Sequence, residues 1–102
     1  MKKKQLAINF AKSINYSGIE KIILYGSVAR EEDNENSDID LLIVTDGSND
    51  EFIKEEVSNK AWEVLLKDGE YISLIFKTNS YFQKHKKHSF ISNVIKDGVE
   101  IG

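Results

Sequence analysis

Apolar residues recur at helical spacing through Leu6, Ala7, Phe10, Ala11 and Ile14, which predicts an amphipathic helix over residues 2–17 that stops near Gly18. The stretch IEKIILY, residues 19–25, then reads as a buried strand ending at Gly26-Ser27. The short SVARE that follows can open a helix before the polar EDNENS breaks it, and residues 38–45 form a second strand whose core is Leu41, Leu42, Ile43 and Val44. Asp46-Gly47 marks a turn, and Ser48 with Glu51 matches a capping box opening a helix with the stripe Ile53, Val57, Ala61, Val64 and Leu65, which Gly69 ends. EYISLIFK, residues 70–77, gives a third strand, and residues 79–97 hold one broken helix or two short ones ending at Gly98. The pattern predicts an α/β fold, a three-stranded sheet covered by helices.

At 102 residues and 11.6 kDa the chain suffices for a single domain, residues 1–102, but not for a second substrate-binding domain; a site that needs two walls must borrow one. No cysteine occurs, so disulfides and thiolate metal sites are excluded and any metal must be held by oxygen or His. The formal charge of -3 and pI near 5.4 argue against a dedicated nucleic-acid binder, and Lys2, Lys3 and Lys4 read as a solvated helix start. No signal peptide and no membrane span is evident, so the expectation is a soluble, cytoplasmic protein.

The second strand poses the chemical question. It is apolar enough to enter a core, yet its beginning carries Asp38 and Asp40, and burying ionised carboxylates is costly unless something positive offsets them. Residues two apart on a strand project from the same face about 6.6 Å apart, so the pair can converge on one or two divalent cations. Hard Mg²⁺ suits such a pair, since it takes one or two carboxylates together with substrate phosphates. Gly26-Ser27 at the preceding strand end supplies the other half: Gly lets backbone approach an anion closely, and the Ser hydroxyl and free N–H groups point outward. Arg30, one turn on, can add a charge-assisted contact to the same phosphates. Either half alone is an ordinary cap or a solvated pair; together, separated by residues 28–37, they are far more specific.

GSVAR followed by SDIDLLIV resembles the signature of minimal nucleotidyltransferases of the DNA polymerase β-like superfamily, over nearly the whole chain. The resemblance implies a small mixed sheet flanked by helices and a nucleoside triphosphate, ATP foremost, held through Mg²⁺. Gly26 and Ser27 would then hold the terminal phosphates and Asp38 and Asp40 would ligate the metals. A hydroxyl would attack the α-phosphate and release pyrophosphate, transferring AMP. It further implies a small helical partner protein, as in antitoxin-type members that adenylylate a toxin subunit, and leaves a homo-oligomer open.

The chain departs from that pattern on the next strand, where members that catalyse carry a third carboxylate and this sequence has Ser73 within Ile72-Ser73-Leu74-Ile75. Glu70 and Asp68 have the opposite strand parity and would need a bulge or register shift to reach the site. A catalytically impaired nucleotide-binding or antitoxin-like interaction protein is therefore the alternative. KHKKH, residues 84–88, is the dense basic cluster after the N-terminus and reads first as a solvated face. Trp62, Leu66, Phe76, Tyr81, Phe82 and Phe90 read as core, and any left exposed would instead indicate a protein interface.

Overall fold

The computed structural model describes residues 2–102, in the order α1 (Lys3–Ser13), β1 (Ile19–Tyr25), α2 (Gly26–Ala29), β2 (Ile39–Thr45), α3 (Asp50–Asp68), β3 (Ile72–Thr78), α4 (Asn79–Lys84), α5 (Ser89–Asp97) and β4 (Val99–Glu100). The strands form one mixed sheet in the spatial order β3-β2-β1-β4. β2 runs antiparallel to β1 and parallel to β3, because the link from β1 is a short excursion through α2 whereas the link to β3 is the long helical crossover through α3.

Central placement explains the unbroken apolar run of β2: Leu41, Leu42, Ile43 and Val44 are fully buried, and both faces of the strand are covered. On one face Ile39, Leu41 and Ile43 pack with Ile22, Leu24, Leu6, Phe10, Ile53 and Val57, so α1 and α3 cover it. On the other, Leu42 and Val44 meet Ile23, Phe82, Ile91 and Val94, so α4 and α5 cover that side. The alternation of β2 thus splits into two cores, and Asp40 falls on the α4/α5 side.

Several expectations shift. The sheet has four strands rather than three, because the last residues return along β1: Leu24 pairs with Val99 and Ile23 with Glu100. The Ile101 N–H then donates to the Ile22 carbonyl at 2.8 Å and the Ile22 N–H to the Gly102 carbonyl at 2.7 Å. Two residues are too short a strand to register as a period. Gly98 permits the close approach, since a Cβ there would collide with the Val94 carbonyl and the Ile23 side chain. The capping box does not form: Asn49 precedes α3 without a side-chain cap, and Ser48 donates its N–H and O–H to Asp46 Oδ1 at 2.9 and 2.6 Å. Those bonds stabilise the charged form and lower the Asp46 carboxyl below the usual range. α1 ends at Ser13, earlier than residue 17, and residues 79–97 resolve into two helices with KHKKH at the break.

Of the aromatic and large residues read as core, Phe82 is buried and Phe76 half-buried, while Trp62, Leu66, Tyr81 and Phe90 are exposed. No helix among the described residues is long and apolar enough to cross a membrane.

Candidate functional site

β1 ends and β2 and β3 begin at the same end of the sheet. Across that end Tyr25, Asp40 and Ser73 form one row, since Tyr25 pairs with Asp40 on β1–β2 and Asp40 with Ser73 on β2–β3. Adjacent strands lie about 4.8 Å apart, so these three side chains share a face as immediate neighbours. Asp38 lies just before β2, exposed, with the same parity as Asp40, and the Ile39 N–H bond to the Tyr71 carbonyl at 3.0 Å fixes where the strand begins. All three residues of the row are half-buried, and a cavity of about 340 Å³ lies away from them, between α1 and α3, lined by Phe10 and Asp68.

Gly26 closes the row from above. It opens α2 with φ +79°, in the left-handed region, and a Cβ on it would occupy the space of Asp40 Oδ2. The backbone of the Gly-Ser turn therefore presses directly on the carboxylate, which ties the two halves of the sequence motif into one site. α2 is a single turn, so its macrodipole is small and the phosphate-binding expectation rests instead on the Ser27 hydroxyl and on first-turn N–H groups without a partner inside the helix.

Electrostatically, the Asp40 carboxyl is pushed above the usual range, first by burial and next by the negative charge of Asp38, while Arg30 pulls it the other way. The Tyr25 phenol is pushed up to about 12 by burial and by Asp40. Neither Asp38 nor Asp40 takes a hydrogen bond or an ion pair among the described residues. A half-buried carboxylate beside a second one, with no donor on either, is the configuration a cation relieves. The donors present, two carboxylates and the Ser73 hydroxyl, are all hard oxygen and fit Mg²⁺ with phosphates completing the shell. Among the described residues no group of three or more His, Cys, Asp or Glu gathers as a metal cage.

The structure brings Gly26, Ser27, Asp40 and Ser73 together with Asp38 at the rim. Arg30 is close enough to influence Asp40, but its guanidinium is engaged: Nε lies 2.8 Å from Glu32 and Nη1 3.7 Å from Asp97. Contact with phosphate requires it to leave those partners. Glu70 is held elsewhere by Lys3, whose Nζ lies 2.8 Å from its carboxylate and donates to the Ser37 and Glu35 carbonyls at 2.6 and 3.1 Å. Lys3 is thus not the solvated residue its sequence neighbours suggested; it staples the loop entering Asp38 to α1 and to the start of β3. Asp68 ends α3, away from the row. Sequence reasoning missed Lys3, for which no local signal exists, and Tyr25, whose position directly before Gly26 on strand parity would have revealed it.

Removing the charge at Asp40 should stabilise the metal-free protein. Because its folded-state carboxyl is raised, ionisation penalises folding above that value, and the penalty is absent at low pH where both states are protonated. Asp40→Asn is expected to raise the thermal midpoint by a few degrees at neutral pH, with the gain shrinking as pH falls through the carboxylate range. A gain independent of pH in thermal melts would show that repulsion and burial of charge are not its source. Gly26→Ala should cost about 2–4 kcal/mol in the wild type but only about 1–2 in an Asp40→Ala background, where the positive φ alone remains. Equal costs in the two backgrounds, by urea unfolding, would contradict the contact.

The chain matches the family model described as nucleotidyltransferase domain over residues 5–100. It is 40% identical over 91 residues, 89% of this chain and 86% of the other, to a Methanocaldococcus jannaschii protein that carries the provisional name of a protein adenylyltransferase. Among solved structures it resembles a toxin–antitoxin crystal structure with AMP-PNP, with TM-score 0.61 and 18% identity over 93% of this chain and 72% of that one. It also resembles a chain of the Shewanella oneidensis complex of tri-AMPylated HEPN toxin with MNT antitoxin, with TM-score 0.55 and 17% identity over 97% of this chain and 71% of that one. The family match over residues 5–100, with 40% identity to a relative across 89% of the chain, places the chain in the nucleotidyltransferase domain family, and the mixed sheet agrees with that.

Proposed function

We propose that this chain, acting as one domain, is a Mg²⁺-dependent nucleotidyltransferase subunit that binds ATP and transfers AMP to a hydroxyl on a partner protein. The observation that carries the reading is the unpartnered pair Asp38 and Asp40 under the Gly26-Ser27 turn. The relatives named as a protein adenylyltransferase and as toxin–antitoxin complexes favour AMP and a protein acceptor, and the small helical partner follows from the family resemblance of the motif.

Asp38 and Asp40 would hold the divalent cation, which when bound offsets the triphosphate charge and polarises the α-phosphate. Gly26 and Ser27 would bind the terminal phosphates through backbone N–H groups and the hydroxyl, with Arg30 recruited from Glu32 and Asp97. The acceptor oxygen forms its bond to the α-phosphorus as the bond to the bridging oxygen breaks, and pyrophosphate leaves. The hydroxyl proton passes to water, because Ser73, unlike a third carboxylate, cannot accept it. The acceptor or a partner chain supplies a second wall to the site.

A second reading is favoured by a specific observation. Ser73 stands in register beside Asp40, where a third acid would complete the donor set, and Lys3 holds Glu70 out of reach. On this reading the chain binds nucleotide and its partner without efficient transfer.

Calorimetry with ATP and Mg²⁺, followed by labelled-nucleotide transfer with and without a helical partner, tests both readings. Wild type should bind ATP only with Mg²⁺, and Asp38→Asn with Asp40→Asn should abolish that binding. Ser73→Asp should raise transfer about tenfold or more. Unaltered Mg-ATP affinity in the double variant removes the metal assignment, and binding without transfer in every arrangement selects the second reading.

A further inference from the structure

Charge is segregated along this chain to a degree that its net value conceals. Residues 71–96 contain none of the 17 Asp and Glu and five of the 14 Lys and Arg: Lys77, Lys84, Lys86, Lys87 and Lys96. β3, α4 and all of α5 except its last residue, Asp97, which faces Arg30, fall within that stretch, so α4 and α5 on the Asp40 side of the sheet are predominantly basic while the rest of the molecule is acidic. Charges more than about 8 Å apart are largely screened at physiological ionic strength, so local sign, and not the formal -3, decides what this layer attracts.

Three of the cations, Lys84, Lys86 and Lys87, lie at the corner between α4 and α5, which is ordered by ring contacts and backbone hydrogen bonds. The Tyr81 and His85 rings stack at 3.9 Å and 20°, and His88 meets His85 edge-on at 4.6 Å. The His85 N–H donates to the Tyr81 carbonyl at 3.0 Å, and the His88 N–H to the His85 carbonyl at 3.0 Å. Lys84, Lys86 and Lys87 are exposed on this frame and take no ion-pair partner among the described residues. Like charges fixed on one turn without counter-charges favour an anionic surface that arrives already complementary.

The corner reaches from the Lys77 end of the sheet, where His85 stacks on Tyr81 beneath Lys77, toward the candidate site through the start of α5. Phe90, two residues past His88, packs edge-on against Tyr25 at 5.7 Å, and Tyr25 is the register partner of Asp40. On the opposite side, the loop leading into Asp38 carries Glu31, Glu32, Asp33 and Glu35 and is tied through Lys3 to α1, which covers the other face of the sheet. Asp33 and Glu35 have no ion-pair partner among the described residues. The carboxylate pair thus lies between a basic corner and an acidic loop.

We infer that the Lys84–His88 corner docks an acidic segment of the protein acceptor, leaving a hydroxyl farther along the acceptor, about 13 Å away along the sheet, to reach the carboxylate pair; the inference rests on the nucleotidyltransferase reading above. A nucleic acid fits less well, because its continuous phosphates would meet Asp33 and Glu35 on the far side of Asp38, whereas a protein can change sign along its surface.

Fluorescence anisotropy without nucleotide tests the surface. The probes are a labelled glutamate–tyrosine peptide, its lysine–tyrosine counterpart and an oligouridylate of matched charge. The wild type is expected to prefer the glutamate peptide, with affinity falling as salt rises. Lys84→Gln with Lys86→Gln and Lys87→Gln should weaken it about tenfold, since three exposed ion pairs are lost. Should that variant prove unstable, Lys86→Glu alone must act in the same direction. Undiminished binding by these variants, preference for the lysine peptide or the oligouridylate, or no binding of any probe overturns the inference. Asp38→Asn with Asp40→Asn should keep the peptide while losing ATP, so a failure of the nucleotide reading registers in calorimetry and not here.

Discussion

Burial of the Asp40 carboxylate, with Asp38 beside it, at the head of the most deeply buried strand is the constraint around which the rest of the structure is arranged. Leu41 to Val44 need both faces of β2 covered, which draws α1 and α3 to one side and α4 and α5 to the other. The same burial that stabilises the strand raises the Asp40 carboxyl, and Asp38 raises it further. The protein provides no hydrogen-bond donor to either carboxylate among the described residues, and Gly26 brings backbone against Asp40 at a position where any side chain would intrude. Local stability is thereby given up at one end of the sheet, a pattern characteristic of sites organised for a charged ligand.

Parallel pairing of β2 with β3 has a chemical consequence. It sets Ser73 beside Asp40, so the position a third acid would take is filled by a neutral hydroxyl on the correct face. Lys3 reinforces this by binding Glu70 and two carbonyls of the loop before Asp38. The nearby acid is committed to holding the loop, and on the proposed function completion of the site falls to substrate or partner.

Much of this was legible in the sequence for physical reasons. The i, i+2 geometry of a strand predicted Asp38 beside Asp40; β2 begins only at Ile39, but the charge of Asp38 does reach Asp40. Parity set Ser73, not Glu70 or Asp68, beside Asp40. The alternation in β2 could not say which helices cover which face, because both faces are equally apolar. β4 escaped notice since two residues of VEIG make no period and gain their order only by pairing with Ile23 and Leu24. Ser48 and Glu51 misled because Asp46 offered Ser48 a nearer acceptor than the helix did. Lys3 was unreadable: its partners lie more than thirty positions away in the chain. Trp62 and Leu66 are exposed although they sit at helical spacing with buried residues: Trp62 lines an open groove between α3 and the edge strand β3, beside Tyr71, Ile72, Leu74 and Phe76, and does not enter the core.

The central claim is that the carboxylate pair under the Gly-Ser turn is a divalent-cation site. Paramagnetic broadening by Mn²⁺ in nuclear magnetic resonance spectra of the isotope-labelled chain measures it most directly. The account predicts that the amides of Ser27, Asp38, Asp40 and Ser73 broaden first, at Mn²⁺ well below stoichiometric, and recover on addition of excess Mg²⁺. Broadening that starts instead at the exposed acids Glu31, Glu32, Asp33 and Glu35, or that spreads evenly over all acidic residues, would contradict it.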